Sequence, residues 1–584
     1  MIAIQRSRAV IVIAMLLAVS ACAGIPSSGP VTKVADDGGL GESTVRYAPA
    51  RPTAGASPQQ IVRGYLDAML AYPASTGTAT AFLTPAGAKK WSPSAGARIY
   101  SSIGLSGPTL AAGEDGETTD KTRNPVEIEV RLAVDAGLDQ QGHYTRQARP
   151  AELTYRLERV DSEWRIANPQ AGLLVSRKFF EDYFRPFNIY DFDRPGRRLV
   201  PDPVHILVGD QLATGLVTSL TRGVGAPSTG PLRTYLPPLD ALRPSVPVSN
   251  RGVADVEFST DFSAMTESVQ DHLSAQIVWT LRQVPDVTAV RLAGGSTALS
   301  GEGDGPQDIS SWGGYGPSIA RGRAYAISDD RIVQIDDSTV RRLTGAWGRD
   351  ARGAVSVGVS DNGVAGVLNG RSSVRVTNRE GTDARTFAGS RFLTPQWDGD
   401  GNAWLLDRQG SRTRVRLVTG DRIRTLASGR LARLDVTSFA LSPDSSRYAV
   451  TVRDGDSTAI EVGWVRRDAN DRILGFGDPS EVYTSAGTPR SVTWSSGTEL
   501  SYLADSQSGR QIYTTTIDGS STSGGLSRGG ALLPDVRPDT LATGVGPAPN
   551  RYATDARDRL WFLEPGGSWR LLPDIKATGL TYGR

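Results

Sequence analysis

Acid–base or metal chemistry at neutral pH would have to start from three histidines, His143, His205 and His272, in a chain of 584 residues. They are far apart. No His-Glu-x-x-His run and no Cys-x-x-Cys pair accompanies them, so each is expected to be a surface or hydrogen-bonded histidine rather than a ligand. Gly525-Leu526-Ser527-Arg528-Gly529 fits the Gly-x-Ser-x-Gly pattern of serine hydrolases. That chemistry needs a strand-to-helix turn and a histidine downstream of the serine, and none follows His272. Asp398, Asp400 and Asn402 have the alternation of a calcium loop, but Ala403 stands where such a loop turns on glycine. Gln409 stands where it needs a bidentate glutamate, so a polar turn is the better account. The acid pairs Asp329-Asp330 and Asp336-Asp337 offer two carboxylates, as glycoside hydrolysis requires, yet nothing singles out one pair. No phosphate-binding loop or dinucleotide fingerprint occurs. The expectation is a non-enzyme with no catalytic residue, no cofactor and no metal.

One chemical handle remains, Cys22, the only cysteine in the chain. Arg6 and Arg8 precede an apolar run from Ala9 to Val19, too short for a membrane span of about 20 residues. Charge, a short apolar core and then small residues read as a secretory signal peptide over 1–21. The sequence Leu17-Ala18-Val19-Ser20-Ala21-Cys22 resembles the lipobox of bacterial lipoproteins. The resemblance implies S-diacylglycerol and N-palmitoyl groups on Cys22 after cleavage before it. An exported chain with no second cysteine has no disulfide framework, which favours acylation as the use of this thiol. Residues 22–56, rich in Gly, Pro, Ser and Ala, read as a flexible linker.

Such an anchor must carry something, and about 560 residues are too many for one core. Lys plus Arg total 64 and Asp plus Glu 62, a balance with no field to gather nucleic acid. The first unit, 57–197, opens with a helix at Ser57-Pro58-Gln59-Gln60, with Ile61, Val62, Tyr65, Leu66, Met69 and Leu70 on one face. A second helical stretch, 79–91, is broken by Pro85. Strands follow at 126–134, 151–160 and 163–166. Helices before a curved antiparallel sheet resemble the NTF2-like α+β fold. The second unit, 198–296, reads as a strand at 204–208, a helix at 212–222, a hairpin from 245–250 and 252–259, a helix at 265–284 and a strand at 287–292. The succession from Gly252-Val253-Ala254-Asp255-Val256-Glu257-Phe258 to Val287-Thr288-Ala289-Val290-Arg291-Leu292 resembles the GerMN domain, a small α/β module. That resemblance implies interaction rather than chemistry.

The third unit, 305–584, repeats a strand–turn–strand form about every 40 to 55 residues, the size of a four-stranded propeller blade. Copies begin near Arg323, Val355, Trp397, Phe439, Ser491 and Tyr552. The turn Ser442-Pro443-Asp444 resembles the TolB-like propeller repeat. The fold class expected is therefore multidomain α+β and all-β, ending in a β-propeller of about six blades, or seven if a terminal blade is split.

The order of lipobox, NTF2-like unit, GerMN module and propeller is similar to the LpqB lipoproteins of actinobacteria. Membership implies a lipid-anchored protein on the extracytoplasmic face of the cell membrane. It also implies an accessory role beside the MtrA–MtrB two-component system, through the extracellular part of an MtrB-like sensor kinase, in cell-wall homeostasis and division. A competing reading is a glycan-binding or glycan-processing envelope protein that takes a cell-wall polymer in the propeller channel.

Overall fold

The computed structural model describes residues 48–584 apart from 108–124, 224–230, 244, 302–304, 318–321, 338, 469, 483–486, 507–508, 525–536, 547–548 and 565–567. Cys22, the 1–21 segment and the Gly525–Gly529 motif lie outside the described residues.

Helix α1 (Pro58–Ala68) starts where the sequence reading put it. Ser57 Oγ accepts from the Gln60 amide at 3.3 Å, and Gln60 Oε1 accepts from the Ser57 amide at 2.8 Å. Pro58 at the first position has no N–H to leave unsatisfied. Two short helices follow, α2 (Gly77–Thr80) and α3 (Pro85–Lys90). The apolar face of α1 packs on a sheet of β1 (Ala97–Ser106), β2 (Val126–Leu138), β3 (Tyr144–Val160), β4 (Glu163–Ile166) and β5 (Leu173–Ser176). The strand order is β4-β3-β2-β1-β5, with β5 parallel to β1. Val126, Ile128, Val130, Leu132 and Val134 alternate inward along β2, while Glu127, Glu129 and Arg131 face water. Both β2 and β3 run past their expected ends, because they form one long hairpin that closes at residues 139–143. The unit is mixed α+β.

Helix α4 (Arg177–Tyr183) leads into β6 (Phe184–Asp193), which pairs with β7 (Leu199–Leu207) along its length. The boundary expected at 197/198 therefore cuts a hairpin. The Arg194-Pro195-Gly196-Arg197-Arg198 run has a linker's composition but forms the turn, with the Asp193 carboxylate accepting from the amides of Arg197 and Arg198. Ile189 and Phe192 of β6 are buried, Ile189 against helices α5 (Leu212–Arg222) and α6 (Glu267–Leu281), so β6 belongs with the second unit. Short strand β8 (Leu232–Arg233) joins the same sheet. Strands β9 (Val253–Phe258) and β10 (Ala289–Gly294) are parallel, with α6 as their crossover. The hairpin expected from 245–250 is reduced to isolated bridges at Leu242 and Val248. Pro247 lacks the N–H a ladder needs.

The third unit forms six sheets among the described residues, each of four strands except the fourth, which has five. Blades 2 to 6 begin with inner strands Ala354–Val359, Gln396–Trp397, Asp435–Leu441, Pro489–Trp494 and Pro538–Thr543. Blade 1 is split. Its inner strand, Thr578–Tyr582, comes from the C-terminus and pairs with Ala324–Ser328, so the first and last strands of the propeller segment close the ring. Tryptophans tie neighbouring blades: Trp397 donates to the Gly358 carbonyl at 3.1 Å and Trp494 to the Ala440 carbonyl at 3.2 Å.

Candidate interaction site at the domain junction

The two histidines that looked bland in sequence lie where the units meet. In the 139–143 turn, the Asp139 carboxylate accepts from the amides of Gln141 and His143, both at 2.9 Å, and so presents the His143 ring outward. His143 Nδ1 lies 2.9 Å from Asp139, and Nε2 lies 3.2 Å from Asp202 on β7. The other Asp202 oxygen accepts from Arg447 Nη2 at 2.7 Å, and Arg447 Nη1 donates to the Pro201 carbonyl at 2.9 Å. Arg447 opens the second strand of blade 4, and its guanidinium stacks 3.8 Å above the Trp464 ring. One chain of charges, His143–Asp202–Arg447, thus touches all three units. The Arg447 side chain is 3 % exposed.

Electrostatics follow from that geometry. Burial alone would pull the His143 imidazole down, but hydrogen bonds to Asp139 and Asp202 outweigh it and raise its pKa to about 10. Burial would push Asp202 up, but Arg447 and His143 hold it below the usual carboxylate range. Asp191 sits nearby on β6 without a cation of its own. Burial and the Asp202 charge push its pKa up to about 7, against hydrogen bonds from Gln276 and Thr234. His143 is therefore fixed as a cation at neutral pH, which suits a clamp and not a proton shuttle.

A second pair, His205 Nε2 and Asp518, meets at 3.1 Å with side chains only 5 % and 9 % exposed. A third contact is a network: Arg197 reaches Asp400 at 3.2 Å and Asp471 at 2.9 Å, and Arg467 bonds both acids. Around it lies a polar cleft of about 270 Å³, lined by Arg194, Arg198, Asp444 and Ser445 among others. At blade 5 a Cβ on Gly497 would stand 2.7 Å from the Pro201 ring, so glycine is needed for the close approach.

These contacts share one end of the propeller. Asp400 and Gly497 lie in turns from first to second strand, and Asp471 and Asp518 in turns from third to fourth. Strand alternation puts both kinds of turn at the same end, here of blades 3, 4 and 5. Arg584 closes the channel mouth at this end. Its backbone pairs with Val359 and Asp361 of blade 2, and its side chain donates to Ser445 Oγ at 2.6 Å and to the Leu441 and Ser442 carbonyls of blade 4. At the opposite end the second-to-third turns at Asp329-Asp330, Asp454-Gly455-Asp456 and Ala556-Arg557-Asp558 are exposed.

The remaining residues singled out in the sequence have structural work. Asp398 accepts from the Asp400 and Asn402 amides, from Asn402 Nδ2 and from Trp404 Nε1 at 2.9 Å, which makes it the anchor of a blade turn. Asp555 and Trp561 repeat the arrangement in blade 6. Asp329 and Asp330 occupy positive-φ positions of a tight turn, and Asp337 accepts from Asn550 at 3.0 Å. His272 is enclosed by Phe192, Tyr235 and Tyr315, with Nε2 2.8 Å from the Gly196 carbonyl. Sequence reasoning passed over Asp202, Arg447, Asp518 and Arg197, whose types at isolated positions carry no local pattern.

Comparison with known proteins gives a consistent picture. The family profile described as "Lipoprotein LpqB, N-terminal domain" matches residues 51–181. That described as "Sporulation and spore germination" matches 183–296, and "Lipoprotein LpqB beta-propeller domain" matches 330–579. The chain is 28 % identical to "Lipoprotein LpqB" of Thermobifida fusca (strain YX), over 91 % of this chain and 92 % of that one. It is 26 % identical to "Lipoprotein LpqB" of Mycolicibacterium smegmatis (strain ATCC 700084 / mc(2)155), over 77 % and 76 %. Among solved structures, TolB from Acinetobacter baumannii aligns with 46 % of this chain and 68 % of that one, at 11 % identity and a TM-score of 0.32.

Proposed function

Because the chain belongs to the LpqB lipoprotein family, we propose that it acts as a membrane-anchored extracytoplasmic regulator of an MtrAB-type sensor kinase, in cell-wall homeostasis and division, without catalysis of its own. Cys22 is the lipid attachment site in this reading, carrying S-diacylglycerol and N-palmitoyl groups. The observation that carries it is the one-ended docking of the second unit. Three sets of ion pairs hold β6 and β7 against blades 3 to 5, and the opposite end of the propeller keeps its exposed turns. A rigid, uncommitted face beside a membrane suits a partner confined to the same surface, where even a weak interface is occupied. Regulation needs no reactive group, only a preference for one kinase conformation. His143, one of the three histidines from which acid–base chemistry would have to start, is held as a charged clamp.

The test is crosslinking and pull-down from native membranes, comparing wild type with Cys22→Ala. Recovery of one sensor kinase by the wild type, and much less by the unanchored variant, is the expected result. Recovery of wall glycan with no kinase would replace this reading by the glycan-binding one.

A further inference from the structure

The chain's charge is balanced, but not evenly spread. Between Arg408 and Arg433 it carries eight arginines and one acid, Asp421. These residues build the outer strands of blade 3, Arg412–Thr419 and Arg422–Thr425, and the link to blade 4. Some are spent internally: Arg408 pairs with Asp435, Arg416 with Asp407 at 3.6 Å, and Arg430 with Glu461 at 2.7 Å. Arg412, Arg414 and Arg422 are exposed and make no ion pair among the described residues.

Two apolar side chains stand among them. Ile423 is 48 % exposed and Leu474 41 %, two of the four large apolar residues exposed to this degree among the described residues. The register places Ile423 opposite Val418, on the face of blade 3 shared with Arg412 and Arg414. Arg422 lies opposite Thr419 on the other face, so the outermost strand carries arginine on both sides of Ile423. Arg424 donates to the Ile473 carbonyl, which brings Leu474 of blade 4 to the same edge. Protecting an edge strand from unwanted pairing accounts for arginines at 422–425, but not for apolar side chains left bare beside them.

We propose that this outer wall of blades 3 and 4 docks on an anionic phospholipid bilayer. Arginine forks match phosphate oxygens, and shallow apolar side chains enter the headgroup boundary between them. A protein partner fits less well, because interface cores are anchored by aromatic side chains, and none of the large apolar residues exposed among the described residues is aromatic. A soluble polyanion would make no use of Ile423 and Leu474.

The experiment uses the whole exported chain with Cys22→Ala, so that no acyl group contributes, and measures cosedimentation with vesicles. Binding is expected to phosphatidylglycerol-containing vesicles and not to pure phosphatidylcholine. Each arginine near an anionic surface is worth about fivefold in partition, so Arg412→Glu/Arg414→Glu/Arg422→Glu should lower it by roughly a hundredfold or more. Ile423→Ser/Leu474→Ser should lower it about tenfold and leave the salt dependence in place. Arg412→Gln/Arg414→Gln/Arg422→Gln supplies the same loss more gently if the reversed variant unfolds. Absence of binding to anionic vesicles, or partition indifferent to the arginines, overturns the proposal. So does indifference to Ile423→Ser/Leu474→Ser together with full competition by polyphosphate.

Discussion

Replacing His143 by glutamine removes a charge through which the first unit grips the second and, by way of Asp202, the propeller, and its effect should depend on pH in a direction the structure fixes. The imidazole's pKa rises from 6.5 to about 10 in the folded chain, and its side chain is 28 % exposed. At about 1.4 kcal/mol per pH unit, the ceiling for the contribution is about 5 kcal/mol. Asp139 and Asp202 share the interaction, so about 2–3 kcal/mol is the working figure. Below pH 6.5 both folded and unfolded chains hold the proton, and the stabilisation is fully present. Between 6.5 and about 10 the unfolded chain releases its proton while the folded one keeps it, so stability falls as pH rises. Urea unfolding of wild type and His143→Gln from pH 6 to 9.5 reads this directly. The gap between the two should be widest at pH 6 and narrow steadily toward the alkaline end. A gap that stays constant with pH, or widens, would refute the assignment of His143 as a half-buried cation.

Asp202→Asn should cost about 3–5 kcal/mol in thermal or urea unfolding, because it leaves Arg447 buried without a counter-charge, and Asp202→Asn with Arg447→Met should cost less than the two changes summed. Asp191→Asn should stabilise the chain above pH 7, where the folded carboxylate must ionise at a pKa raised to about 7, and the gain should vanish below about pH 4, where both folded and unfolded carboxyls are protonated. Arg584→Ala removes three hydrogen bonds and should cost about 1–3 kcal/mol, with faster hydrogen exchange at residues 441–446; unchanged exchange would mean that Arg584 does not brace the channel mouth.

The parts of this fold that could be read in advance are those whose physics is local. Ser57 and Gln60 sit three apart and form a capping box. Val126 to Val134 alternates because one face of the sheet is wet. The turns at Asp398 and Asp555 look alike in sequence because each carboxylate gathers the amides two and four residues on and the tryptophan six residues on. They do so although one joins first to second strand and the other second to third. What failed to show has distant causes. The inner strand of blade 1 lies some 250 residues from its partners, so the first repeat looked complete without it. The run 194–198 has the composition of a linker, and only the long-range burial of β6 on α5 and α6 reveals a hairpin turn. The junction was the least legible feature. Asp202 finds His143 across 59 residues and Arg447 across 245, and His205 finds Asp518 across 313. A single aspartate or histidine at such a position differs in nothing from a solvated one.

That the second unit meets the propeller through charged groups, with no buried apolar cluster spanning the two among the described residues, bears on how such an array works. An apolar interface tolerates sliding, because its energy depends on area and not on direction. A buried ion pair is weak evidence for net stability, since desolvation offsets much of the attraction, but it is satisfied in only one register. Arg197 with Asp400 on blade 3, Asp202 with Arg447 on blade 4 and His205 with Asp518 on blade 5, set around the close approach of Pro201 to Gly497, fix the rotation of the second unit on the propeller as well as its position. His143 then fixes the first unit to the same point. A protein whose task is to present one face at a set orientation gains from this arrangement. If the propeller wall also rests on anionic lipid, the face opposite the junction is turned the same way in every copy, and an encounter with a membrane partner becomes a search in two dimensions with orientation already supplied.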